Sequence, residues 1–246
     1  MKDNFSRQSA QYAKYRPGYP KELFDFILAH APGRDIAWDC GTGNGQTAKQ
    51  LAAHFHKVIA TDISEGQLRE GQKANNIFYS LQTAEQTNFT ENYFDLVTVS
   101  QALHWFKLDR FYAEVKRVTK AGGWIAVWTY NLPFISPEID EWIRVKLYQD
   151  ILGNYWDYER KMVDEKYASI PFPFEEILCP VFNLRFEWTP EELTGYINTW
   201  SALQKFVSAN SFNPVSTLKE QIQPLWTGEK MKINFPVYMR MGKVLK

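Results

Sequence analysis

Two cysteines, four histidines and a formal net charge of zero are the scarce features of this 246-residue chain. Cys40 and Cys179 stand far apart, with no CxxC pair and no histidine cluster beside them, so neither a disulfide framework nor a metal site is indicated. Both read as small core residues. The balance of 28 Lys plus Arg against 28 Asp plus Glu removes the uniform positive field that nucleic acid or an anionic membrane surface selects. No stretch reaches the roughly 18 apolar residues of a membrane span, and the opening MKDNFSRQSAQYAKYR has no apolar leader. A cytoplasmic protein with neither nucleic-acid nor membrane partners is expected, as a monomer or homodimer. Ser/Gly-rich linkers and internal repeats are also absent, which makes 1–246 one domain.

What abounds is aromatic side chain, 16% of the chain, with a concentration between residues 130 and 188. Before that region the pattern alternates. KELFDFILAHA (21–31) has helical periodicity. IAWDCG (36–41) is a buried strand running into glycines, QTAKQLAAHF (46–55) a helix, and KVIATDIS (57–64) a second strand. SEGQLREGQKA (64–74) reads as helix, NIFYSLQ (76–82) and YFDLVTVSQ (93–101) as strands, LDRFYAEVKRVTK (108–120) as helix and GGWIAVWTY (122–130) as a fifth strand. Helical crossovers imply a parallel sheet, so the fold class is a doubly wound α/β sheet. Residues 1–31 form an N-terminal cap segment and 35–131 the cofactor-binding core. The proline- and aromatic-rich 132–181 is a helical lid insertion, and 182–246 completes the sheet with strands at 182–189 and 232–244. TPEELTGYINTWSAL (189–203) reads as one helix, with Thr189 as its cap and Pro190 in its first position.

The chemistry lies in Asp39-Cys40-Gly41-Thr42-Gly43-Asn44-Gly45, which joins the first strand to its helix. Glycines at alternate positions let the backbone turn sharply and approach a ligand. Asp62 closes the second strand 21 residues after Gly41, where a carboxylate takes ribose hydroxyls. Such a site suits an adenosine-containing cofactor. The dinucleotide fingerprint GxGxxG would need glycine at position 46, where Gln46 stands, and Asp39 would repel a pyrophosphate. The loop therefore prefers a cationic cofactor.

DCGTGNGQ with the acid in ATDIS resembles motif I and its partner acid in class I S-adenosylmethionine-dependent methyltransferases. AEQTNF (84–89), FDLVTVSQALHWF (94–106) and KAGGWIAVW (120–128) continue the match over roughly residues 10 to 131, and YRPGYP and ALHWF further resemble the small-molecule branch that includes trans-aconitate methyltransferase. The resemblance implies a seven-stranded, Rossmann-like sheet whose last strand is antiparallel, with S-adenosyl-L-methionine as cofactor. It assigns Asp39, Gly41, Thr42, Gly43 and Gly45 to the methionine part. Asp62 falls on the ribose, Ile63 beside the adenine, and Ala84 with Glu85 near its polar edge. Arg16 is placed on the methionine carboxylate and Gln101 at the seam between cofactor and acceptor. TAEQTNF lacks the aspartate more usual before its alanine.

On the acceptor side, His104 and Gln101 are the candidate catalytic residues. His104, Trp105, Trp128, Tyr130, Tyr155 and Trp156 are the candidate lining of a pocket for a small-molecule methyl acceptor, with aromatic faces suited to a sulfonium. Each residue also has a plainer role open to it. Asp39 can cap the glycine loop, Asp62 the next helix, and His104 can bond to backbone, while the aromatics can be core. A carboxylate acceptor would need no base; a hydroxyl or amine would need help from His104 or a lid tyrosine. The rival functions are a nicotinamide-dependent oxidoreductase and a non-catalytic protein that binds S-adenosylmethionine.

Overall fold

Strand β1 (Ile36–Cys40) is apolar on both faces, with Ala37, Trp38, Asp39 and Cys40 all buried, and this places it in the middle of a sheet. The computed structural model describes residues 18–246 and contains an eight-stranded sheet. Strands β2 (Lys57–Asp62), β3 (Ile77–Leu81), β4 (Phe94–Ser100) and β5 (Thr119–Tyr130) join β1 in parallel, in the order β3-β2-β1-β4-β5. The order reverses between β1 and β4. The crevice outside the carboxyl ends of those two strands is where an open α/β sheet binds ligands.

Beyond β5 lies β8 (Met231–Lys243), antiparallel to it, and this is the antiparallel last strand that the family resemblance implies. The eighth strand arises because two elements share the far edge of β8. Strand β7 (Phe182–Trp188) pairs with Met231 to Val237, and the short β6 (Glu175–Ile177) pairs with Met241 to Lys243, both antiparallel. Pro180 sits between them, and proline cannot donate to a ladder. Both elements therefore run in the direction of β1–β5.

Helix α1 (Lys21–His30) buries Leu23, Phe24 and Ile27 against the sheet, as its periodicity requires. Helices α2 (Gln46–Leu51) and α3 (Glu65–Arg69) are shorter than the sequence suggests. On the other face, α4 (Leu108–Val118) packs with Trp38, Phe94 and residues near Tyr167. Helix α5 (Pro137–Glu141) continues as a π-helical segment, Trp142–Ile151, and α6 (Arg160–Asp164) follows. The expected helix over 189–203 is two helices, α7 (Pro190–Ile197) and α8 (Ser201–Asn210). The Thr199 hydroxyl donates to the Tyr196 carbonyl at 2.6 Å and Gln204 Nε2 donates to the Asn198 carbonyl at 2.7 Å, which turns the chain there. Helix α9 (Val215–Ile222) is not anticipated by the sequence reading. Cys40 is buried as expected, whereas Cys179 is only half-buried. Among the described residues no helix is long and apolar enough to cross a membrane.

The start of α7 is closed by a reciprocal pair: Glu192 N–H donates to Thr189 Oγ1 at 3.3 Å and Thr189 N–H to Glu192 Oε2 at 2.9 Å. Thr189→Ala is expected to lower unfolding free energy by about 1 kcal/mol, read as a lower urea midpoint at unchanged slope.

Candidate active site

The glycine loop at the end of β1 is built around a buried acid. Asp39 is 0% exposed, and its Oδ2 accepts from Thr42 Oγ1 at 2.5 Å and from the Ala48 N–H at 3.1 Å. Its Oδ1 accepts from Thr98 Oγ1 at 2.8 Å. One carboxylate thus ties β1 to the loop, to α2 and to β4. Burial pushes its pKa up to about 6 against the opposing effect of those three donors. Asp39 is buried beneath the loop, and these three donors all belong to the protein.

Gly41, Gly43 and Gly45 all adopt left-handed backbone, with φ of +68°, +56° and +79°. Two of them are also required by packing. A Cβ on Gly41 would stand 2.7 Å from the Cβ of Ala102, and one on Gly45 would collide with the Tyr79 hydroxyl, which donates to the Gln72 carbonyl. Gly43 differs, since a Cβ there would make only an ordinary contact, 3.8 Å from Gln67 Oε1, and Gly43 is half-buried.

Asp62, at the mouth of β2, is partly exposed. Its Oδ2 accepts from the Gly43 N–H at 2.8 Å and its Oδ1 from the Ser64 N–H at 2.9 Å. Ser64 Oγ caps α3, and Asp62 bonds both to Ser64 and back to the loop. Ile63 is half-buried beside it, Ala84 is buried, and Glu85 Oε1 accepts from the Lys107 N–H at 2.9 Å, at the start of α4. A left-handed glycine loop with the partly exposed Asp62 carboxylate bonded to it fits a cofactor carrying a ribose. Arg16 lies outside the described residues.

The second half of the site begins at Gln101, which closes β4 in left-handed backbone, φ +55°. Its Nε2 donates to the Tyr130 carbonyl at 3.1 Å, its Oε1 accepts from the Thr129 hydroxyl, and its N–H donates to the Trp128 carbonyl at 3.0 Å. A non-glycine residue held there by three hydrogen bonds marks a strained, over-determined position of the kind found at functional sites. His104 follows in the short turn Leu103–Trp105, 9% exposed, with Nδ1 2.8 Å from the Tyr167 hydroxyl. Burial pushes its pKa down to about 3, and the charge of Arg160 adds to this. The imidazole is neutral. Of the readings open in the sequence, a backbone bond is not the one found.

Gln101, His104, Trp105, Tyr130 and Trp156 line one pocket, a cavity of about 70 Å³. Two of the expected lining residues are elsewhere. Trp128 is 0% exposed in the core beneath α1, its ring edge-on to Tyr19 and Phe24, because its position in β5 points the side chain to that face of the sheet. Tyr155 packs on Phe206 and accepts from Asn210 Nδ2 at 2.9 Å. The wall also includes Asn131, Asp157, Arg160, Tyr196 and Trp200, which the sequence does not single out. Tyr196 and Trp200 lie outside 132–181, and no local pattern marks them. The pocket and the glycine loop adjoin, since Gly41 abuts Ala102, and the Thr47 hydroxyl donates to Ser100 Oγ at 3.1 Å.

Residues 38–127 match the methyltransferase domain family. The chain is 34% identical to a Dictyostelium discoideum protein named as a methyltransferase, over 98% of this chain and 95% of that one. The chain belongs to the S-adenosylmethionine-dependent methyltransferases. A Saccharomyces cerevisiae protein named as an S-adenosylmethionine-dependent methyltransferase is 27% identical over 86% of this chain and 84% of its own. The solved structure of a type II methyltransferase from Anaeromyxobacter dehalogenans superposes with a TM-score of 0.86 at 33% identity, covering 94% of this chain and 99% of that one. These likenesses favour methyl transfer over the nicotinamide reading, and S-adenosylmethionine is the cofactor. Asp62→Ala is expected to weaken S-adenosylhomocysteine binding at least tenfold, about 1.4 kcal/mol, in a calorimetric titration. Unchanged affinity would remove Asp62 from the cofactor site.

Proposed function

We propose that this methyltransferase acts on a small organic acid and methylates a carboxylate oxygen. The observation that carries the reading is the setting of His104, an imidazole of the pocket wall that is buried with Nδ1 2.8 Å from the Tyr167 hydroxyl. When bound, S-adenosylmethionine supplies an electrophilic methyl group on a sulfonium. A hydroxyl or ammonium acceptor must lose a proton to become a nucleophile. Burial and the charge of Arg160 hold the His104 imidazole well below its usual pKa, which makes it a poor acceptor for that proton. A carboxylate brings its lone pair already available. The chain then has only to align it and exclude water.

The wall suits that task. Trp105, Tyr130, Trp156, Tyr196 and Trp200 supply apolar faces, and Gln101 stands where acceptor and cofactor meet. Asp157, the acid in the wall, is paired with Lys205 at 2.6 Å, which offsets its charge. The likeness of YRPGYP and ALHWF to the small-molecule branch supports the same reading.

The test is a panel of small carboxylic acids, phenols and amines incubated with S-adenosylmethionine, the products identified by mass and by cleavage in mild alkali, which hydrolyses methyl esters. Esters from the acids are the expected result; methylation confined to amines or phenols overturns the reading. His104→Asn is expected to lower kcat on an acid by less than about tenfold. A general base would cost 10²- to 10⁴-fold.

A further inference from the structure

Beyond its charge acting on His104, Arg160 has had no place in the chemistry, yet its guanidinium lines the acceptor pocket and is fixed on three sides. Its Nε donates to the Tyr148 hydroxyl at 2.8 Å and to Asp164 Oδ1 at 3.2 Å, and its Nη2 donates to Asn131 Oδ1 at 3.3 Å. The Tyr148 hydroxyl donates in turn to Asp164, at 2.8 and 2.7 Å to its two oxygens. The guanidinium carbon lies 4.9 Å from the Trp156 ring centroid and 5.3 Å from that of Tyr148, and the side chain is 23% exposed. Nη1 makes no hydrogen bond among the described residues. A half-buried arginine held rigid by its neighbours, with donors left toward a cavity, is a preorganised anion receptor.

We infer that Arg160 determines acceptor specificity by binding a second anionic group, separate from the carboxylate oxygen that takes the methyl. This rests on the carboxylate reading above. The separation follows from charge flow. As the new O–C bond forms, the attacking carboxylate loses negative charge, so a cation held against it stabilises the ground state more than the transition state and slows transfer. Held against another anion on the same molecule, the cation contributes binding without that penalty. The end of β5 carries both functions on neighbouring residues. Gln101 is bonded to the carbonyl of Tyr130, and Arg160 to the side chain of Asn131. The receptor therefore stands beside the seam and outside it, and an acceptor with two anionic groups a few bonds apart spans the two. The second group is a carboxylate or a phosphate; both suit a planar donor pair.

Two measurements test this on the full chain saturated with S-adenosylhomocysteine or supplied with S-adenosylmethionine. First, succinate and 3-phosphopropionate are titrated against propionate, following tryptophan fluorescence. The dianions are expected to bind at least tenfold tighter than propionate in the wild type. Arg160→Gln is expected to erase that difference and Arg160→Lys to restore part of it, with S-adenosylhomocysteine affinity unchanged in both. The tighter of the two dianions identifies the second group. Second, the kinetics of succinate and of its monoamide are compared: in Arg160→Gln, KM for succinate is expected to rise at least tenfold with kcat within about threefold, and KM for the monoamide to stay constant. Equal binding of dianions and propionate by the wild type overturns the proposal. So does an Arg160→Gln variant that loses S-adenosylhomocysteine affinity or weakens all acids alike, since that marks a structural role. Arg160-dependent dianion binding without methylation of any acid would retain the receptor and reject carboxylate methylation.

Discussion

The carboxylate of Asp39 is the constraint on which this site depends. An ionised acid with no solvent contact is costly unless donors surround it, and here the Thr42 hydroxyl, the Thr98 hydroxyl and the Ala48 N–H do so. Those donors come from the glycine loop, from the neighbouring strand β4 and from α2. Meeting the needs of one buried charge therefore fixes the loop against the sheet at the point where strand order reverses. Burial still leaves the Asp39 pKa raised, to about 6, against the lowering effect of those donors.

From that anchor the rest of the site follows by contact. Left-handed glycines bring the loop close enough to the turn after β4 for Gly41 to abut Ala102, and the same turn carries Gln101 and His104. Gln101 is bound to the end of β5, and the segment after β5 carries Arg160 and Trp156 back over the opening. Cofactor loop and acceptor pocket are thus two faces of one short turn. Changes on either side of it are expected to be felt on the other.

Much of this was legible in the sequence because it is local. Buried strands such as IAWDC and FDLVTVS announce themselves as apolar runs, and a loop with three glycines and a partner acid is a contiguous pattern with a chemical meaning. The family resemblance rested on those segments, and the relatives bear it out. What escaped depends on distant contacts. The direction of the Trp128 side chain is set by which face of β5 meets α1, the break at Thr199 by side-chain bonds to backbone carbonyls, and the double occupancy of the edge of β8 by Pro180. Arg160 reads as an ordinary surface charge in YERKMVDEK until Tyr148, Asp164 and Asn131 are brought around it. Asp39 was legible as important, yet its position under the loop is visible only from its three donors.

The most direct measurement is the affinity for S-adenosylhomocysteine of the wild type, Asp39→Asn and Asp39→Ala, by calorimetry at pH 7.5. If Asp39 acts by holding the loop, the amide serves nearly as well. Its oxygen accepts from Thr42 and Ala48, its nitrogen donates to the Thr98 hydroxyl, and that hydroxyl turns to the Trp38 carbonyl 3.4 Å away. Alanine leaves the Ala48 N–H unmet and frees the loop. Affinity within about threefold of wild type for asparagine, with at least a tenfold loss for alanine, is the expected outcome. An equal loss in both variants would contradict it and assign the charge of Asp39 to direct contact with the cofactor.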